Sequence, residues 1–275
     1  MARRLGSCLV VLVALAVVPG AIAAFPGPYG LQGGAGVPGV DGTVSFTAVK
    51  AAGGTLVSAV STDGGAVLRS RTFDGQWGIP TIQYGKPGEG MSRDGKTFVL
   101  ENVGLAETSK FMLVSTSDLS TVDSFTLNGT YAFDALSPTG SMMYLIQHKT
   151  TQDFEHYIVR GYDLRAHALL SQRIADKTQK SWVMQGWAVT RTTSPNGRWV
   201  YTLYANPGGY PFVHALDTVK GVAHCVGLPW PATNGQQGAV FNFTLALKGH
   251  TLAVRYQGGS VYRTINTTSW KVSRK

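Results

Sequence analysis

Ser194-Pro195-Asn196-Gly197-Arg198-Trp199-Val200-Tyr201-Thr202-Leu203-Tyr204 is a tight turn that runs straight into a strand, and that pairing decides the fold. Proline presets the turn torsion, asparagine bonds its own backbone, and glycine takes the positive φ that closes the turn. From Trp199 to Tyr204 the residues are aromatic and β-branched, the composition of a strand. The phrase returns at Ser92-Arg93-Asp94-Gly95 and Ser137-Pro138-Thr139-Gly140. Ala51-Ala52-Gly53-Gly54 and Leu247-Lys248-Gly249 read as degraded copies, which makes five.

Working outward, the fourth unit reads as an inner strand at 183–190, the strand at 199–204, another at 212–216, an Asp217-Thr218 turn, and an outer strand at 223–228. The first unit reads in the same way, with 44–49 innermost, then 55–60, 66–72 and 76–82. From Ser92 onward, neighbouring phrases lie about 45 to 57 residues apart, the period of blade-type repeats. A four-stranded meander cannot bury both faces alone, so it stacks on its neighbours, and a ring of such sheets protects their edges. The expected fold is all-β: a β-propeller of five blades of four antiparallel strands, with six blades or an open arc as alternatives. A β-sandwich also uses short strands, but it does not call for the recurring phrase.

Trp199-Val200-Tyr201-Thr202-Leu203-Tyr204-Ala205-Asn206, followed by Val213-His214-Ala215-Leu216-Asp217-Thr218, resembles the YVTN-type and WD40-like propeller repeats of secreted bacterial proteins. The resemblance implies a propeller and export. It implies no particular activity, because propellers host binding modules, lyases, hydrolases and oxidoreductases alike.

Composition agrees with this reading. Of 275 residues, 44% are hydrophobic and 14% charged, against a usual charged share of about 25%, which excludes disorder. With 34 glycines the chain is also too poor in helix formers for a bundle. Met1-Ala2-Arg3-Arg4, an apolar run at 9–18 and Ala21-Ile22-Ala23 form a secretory signal peptide over residues 1–23. Residues 24–42 are a Gly/Pro-rich lead-in and 43–275 the propeller domain. No later segment reaches 18 apolar residues, so no transmembrane segment is expected in the mature chain. Formal net charge is +9, and +7 once Arg3 and Arg4 leave with the leader, in scattered residues that read chiefly as solubility and otherwise as attraction to an anionic partner; without a basic motif, nucleic acid is not expected. Cys8 leaves with the leader, so Cys225 has no intramolecular partner and reads as an inert thiol in an apolar strand.

Chemistry is sparse. Loops from the third and fourth blades gather Trp182, Tyr210 and Trp230 with Lys177 and Lys180, and His148 and His156 lie nearby. Such a rim suits sugars or acidic polymers, since rings stack on apolar sugar faces and cations attract carboxylates. Trp182 and Trp230 would serve equally well as plugs at blade junctions. Asp134 stands in an apolar inner strand, where it reads chiefly as a turn-forming residue before Ser137, with Arg191 on another inner strand as its channel partner. No nucleophile elbow, metal motif or cofactor motif occurs, so no catalytic residue, metal or cofactor is assigned. The expected function is a secreted, monomeric, non-catalytic binding module for a protein, glycan or cell-wall partner. The alternative is a glycan hydrolase or lyase with carboxylates at the channel mouth, drawn from Asp134, Glu89, Asp153, Glu155 and Asp176. A third reading is a structural unit of a surface assembly, tethered through residues 25–42.

Overall fold

The computed structural model describes residues 36–82, 86–104, 106–153, 155–176, 183–207, 209–229 and 237–274. They build five antiparallel sheets arranged as the blades of a propeller. Blade 1 is β1 (Val37–Pro38), β2 (Val44–Ala51), β3 (Gly54–Ser61) and β4 (Val67–Phe73). Blade 2 is β5 (Trp77–Gly78), β6 (Thr97–Asn102), β7 (Thr108–Ser115) and β8 (Thr121–Asn128). Blade 3 is β9 (Tyr131–Leu136), β10 (Met142–His148), β11 (His156–Asp163) and β12 (Ala168–Ile174), with β13 (Met184–Gln185) added to β11. Blade 4 is β14 (Trp187–Thr193), β15 (Trp199–Ala205), β16 (Phe212–Asp217) and β17 (Val222–Gly227). After a 3₁₀ turn at Gln237–Asn242, blade 5 is β18 (Phe243–Lys248), β19 (Thr251–Tyr256), β20 (Val261–Asn266) and β21 (Val272–Arg274).

Alternation along the strands sends large apolar residues to both faces of the inner blades, where adjacent sheets cover them. Four apolar clusters result. One joins blades 1 and 2 around Phe46, Val57, Phe98 and Leu100. The next joins blades 2 and 3 around Phe111, Leu145 and Tyr162, another joins blades 3 and 4 around Ile146, Tyr157 and Tyr204, and the last joins blades 4 and 5 around Leu203, Phe243 and Leu252. Among the described residues, no such cluster joins blade 5 to blade 1. Nor is any helix among them long and apolar enough to cross a membrane.

The repeat is also visible in hydrogen bonds. After the third strand of blade 2, Thr116 donates its N–H to Lys96 O (2.8 Å) and its hydroxyl to Gly95 O (2.7 Å), which ties the far turn to the turn phrase. In blade 4, Thr218 does the same to Arg198 O (2.8 Å) and Gly197 O (3.0 Å). In blade 1, Thr62 bonds to Thr43 O (2.9 Å) and Gly42 O (2.8 Å). This corrects the reading of the first unit. Its turn phrase is Gly39-Val40-Asp41-Gly42, not Ala51-Ala52-Gly53-Gly54, which is the next hairpin turn of that blade. Blade 1 therefore opens one strand earlier, at β1, paired with Phe46 and Ser45, and β2 is its second strand. Residues 76–82 are likewise not its outer strand, because Trp77 and Gly78 pair with Asn102 and Glu101 as the innermost strand of blade 2.

Candidate functional site

The first strands of the blades line a central channel, and blade 2 supplies its irregular wall. After β5 the chain leaves the sheet and returns at Gly90, whose carbonyl accepts from Val99 N–H (3.1 Å), and at Met91, which bridges Phe98. The excursion is pinned by Gly88 N–H to Gly36 O and Glu89 N–H to Pro80 O, both 2.7 Å. Glycine is required at position 88, since a Cβ there would stand 2.4 Å from Ile79 Cγ2. Its result is to carry Glu89 to the channel, where the side chain is half-buried.

Asp134 on β9 and Arg191 on β14 close the waist of that channel. Arg191 donates through Nη1 to the Asp134 carbonyl, through Nη2 to Asp134 Oδ1, and through Nε to Thr202 Oγ1 at 2.9 Å. The two side chains are only 3% and 2% exposed. Asp134 is therefore not a turn residue: it sits inside β9, and its carboxylate is committed to the next blade rather than to its own backbone. Glu101 fixes the strand from behind, its Oε2 accepting from Phe133 N–H at 2.8 Å. Burial works against charge on Arg191, yet Asp134 and Glu89 outweigh it and hold the guanidinium pKa above its ordinary value. Burial pushes the Glu89 carboxyl up; Arg191 pulls it down and Asp134 adds to the rise.

This plug divides the channel into two cavities. On the turn-phrase side, a small one of ≈ 110 Å³ is bounded by Arg93, Phe133, Ser137 and Pro138. On the opposite, loop side, a cavity of ≈ 330 Å³ is lined by Lys86, Thr190, Thr244 and Gln257. Glu89 and Arg191 border both. From the plug a polar seam runs outward between blades 3 and 4. Tyr204 stacks on Tyr157 (5.4 Å) and meets the edge of His214 (6.4 Å), whose Nδ1 lies 3.7 Å from Cys225 Sγ. Burial lowers the His214 pKa to about 4 and pushes the Cys225 thiol up to about 12, so at neutral pH the imidazole is uncharged and the thiol protonated. Neither group is a nucleophile or a base of useful strength there.

Of the residues the sequence singled out, Asp134 and Arg191 are brought together. Tyr210 stands 58% exposed between β15 and β16, away from them. Lys177, Lys180, Trp182 and Trp230 lie outside the described residues. Glu89, read as a rim acid, is at the channel instead, and Lys86, Thr202 and Gln257 were not singled out at all. Two glycines flanking Glu89 were the available signal, since they mark a backbone that must pass close to another chain segment. Asp153 holds His156 through Nδ1 at 3.0 Å, and no group of three or more His, Cys, Asp or Glu side chains among the described residues is arranged to hold a metal.

No protein-family model matches the chain, and no curated protein does either. Solved structures do. Hydrazine synthase from Kuenenia stuttgartiensis superposes with a TM-score of 0.50 at 15% identity, over 86% of this chain and 70% of that one. The β-propeller domain of Cps50 (Swd1) from Myceliophteria thermophila gives 0.50 at 10% identity, over 86% and 68%. The chain has a β-propeller fold. At such identities the likeness extends to architecture and not to activity.

Proposed function

We propose that this chain is an exported, non-catalytic propeller that binds a protein, glycan or cell-wall partner, with the loop-side cavity of its channel as the contact point. The carrying observation is the state of the waist: all three guanidinium nitrogens of Arg191 are engaged, one by the Asp134 carbonyl and one by its Oδ1, so one oxygen of the channel's most buried acid is held in an ion pair, while Oδ2 has no hydrogen-bond partner among the described residues. Hydrolysis by paired carboxylates needs one free base or nucleophile beside one protonated acid. Around the loop-side cavity, Lys86, Glu89, Thr190, Thr244 and Gln257 offer hydrogen bonds and one free cation among the described residues. Without the leader's Arg3 and Arg4, 22 basic residues stand against 15 acidic ones, a formal charge of +7 that favours anionic partners such as acidic wall polymers. Export rests on the leader-like residues 1–23, and a YVTN-type kinship on the repeat in blade 4.

A second reading keeps one observation on its side. Glu89 has a raised pKa, borders both cavities and lies within electrostatic reach of Asp134, which is where a general acid would stand. The chain, expressed with its leader and collected from the medium, is to be mixed with purified wall fragments and acidic polysaccharides while retention and new reducing ends are followed together. Retention without bond cleavage is expected. Cleavage that disappears in Glu89→Gln would establish the hydrolase instead, and a chain that never reaches the medium would remove the export reading.

A further inference from the structure

On the turn-phrase face, away from the channel, blades 4 and 5 leave a cleft of ≈ 590 Å³. Its wall is aromatic. Trp199 and Trp270 form a corner, with ring centroids 5.3 Å apart and planes at 59°. His224 stacks on Trp270 at 4.4 Å, and Tyr201 lies beside Trp199 at 6.2 Å. The Arg198 guanidinium stands 5.8 Å from the Trp199 ring centroid. His250 completes the rim from the β18–β19 turn, its Nδ1 3.4 Å from Thr268 Oγ1.

The lining mixes groups that both donate and accept, among them Asn196, Thr267, Thr268 and two imidazoles, with three side chains that can only donate. Arg198 is oriented by the buried Asp217 carboxylate, Nε to Oδ2 at 3.0 Å and Nη2 to Oδ2 at 2.6 Å, which leaves Nη1 without a partner among the described residues. The indole N–H groups of Trp199 and Trp270 also have no partner among the described residues. Indole and guanidinium nitrogens only donate. Asp217, the one carboxylate against the cleft wall among the described residues, is 1% exposed and already engaged, so no free carboxylate faces the cleft. Flat rings that cover an apolar face, beside unpaired donors and a positive charge, select a ligand with an apolar ring face and anionic oxygens.

We propose that the cleft between blades 4 and 5 is a binding site for a saccharide carrying an anionic group, a carboxylate or a phosphate. The sugar's C–H face lies on Trp199 and Trp270, and its anion is met by Arg198 and His250. This site does not depend on the channel reading, because it shares no residue with the channel cavities. The φ of +61° at Trp270 belongs to the repeat, since Leu119, His167 and Gly221 take +58°, +49° and +61° in the equivalent turns.

Tryptophan fluorescence of the full chain is to be titrated with a uronic-acid trisaccharide, with a sugar phosphate, and with a neutral hexose trisaccharide. Saturable quenching by at least one acidic probe is expected, with the neutral probe at least tenfold weaker; the tighter acidic probe identifies the anion. Trp270→Ala is expected to weaken acidic binding at least tenfold. His250→Ala, which removes an exposed side chain and keeps the backbone carbonyl bonded to Thr267 N–H, is expected to weaken it severalfold. Absence of saturable quenching, equal affinity for the neutral sugar, or wild-type affinity in His250→Ala would each overturn the assignment.

Discussion

Asp134 and Arg191 show what a single residue can and cannot announce. An acid within Phe133-Asp134-Ala135 is visible in the sequence as a charge in an apolar strand, and a charge so placed needs a partner. Its partner stands 57 residues away in another blade, and local patterning cannot distinguish that from a turn three residues away. The imidazoles of the same region are legible only by burial. His214 and His148 both have pKa values lowered to about 4 by burial, from an ordinary value near 6.5. The folded state then holds them neutral while the unfolded chain binds a proton below pH 6.5. Their contribution is therefore present above pH 6.5 and is lost as pH falls toward 4, by about 3 kcal/mol apiece. Carboxylates held low, such as Asp118 near 2, add a loss of the same sign that begins as the unfolded carboxylates protonate near pH 4, so it enters only at the acid end of that window. Urea denaturation at pH 7, 5.5 and 4 is expected to show falling stability, with a visibly shallower fall in His214→Gln. An unchanged slope would mean that His214 carries its proton in the folded state.

At the scale of the element, the turn phrase is the unit of information, and it reads well where its background is plain. Gly95, Gly140 and Gly197 all have φ near +70°, a torsion that other residues adopt at a cost. Blade 1 was misread for a physical reason: its true phrase, Gly39-Val40-Asp41-Gly42, lies in a stretch where almost any residue is a turn candidate, while Gly53-Gly54 stands out farther on. Only the threonine hydroxyls, which recur on Gly42, Gly95 and Gly197, reveal the register, and they become neighbours of the turn through tertiary pairing. Gly197→Ala is expected to cost about 1 to 2 kcal/mol in torsional strain alone, because a methyl there meets Arg93 and Pro138 at ordinary distances of 3.5 Å or more. Gly227→Ala serves as the control. A Cβ at that site meets nothing within 4 Å and the residue lies in a strand, so a change within about 0.5 kcal/mol is expected from the same melting curves.

For the whole molecule, five meanders joined in sequence form an array in which each sheet is stabilised mainly by its neighbours. Blade number was legible because the phrase repeats. Of the channel site only the pairing of Asp134 with Arg191 was legible, because the other groups come from a broken strand of blade 2 and from blade 5, and no sequence spacing unites them. The distribution of apolar clusters has a dynamic consequence. Blades 2, 3 and 4 are covered on both faces by clusters, whereas blades 1 and 5 share one each among the described residues. Exposure follows the same gradient: Val67 and Leu68 on β4 are 63% and 51% exposed, while Leu145 on β10 and Leu203 on β15 are fully buried. Local opening is easiest where few apolar contacts hold an element. Native-state hydrogen exchange is therefore expected to rank β10, β11, β15 and β16 as the slowest strands, with exchange from β4 and β21 earlier by a factor of ten or more. The protection should fall off toward both ends of the array. Were β4 and β21 to exchange together with β10 in a single global step, blades 5 and 1 would have to be coupled as tightly as blades 3 and 4, and the molecule would behave as a closed ring rather than a linear array.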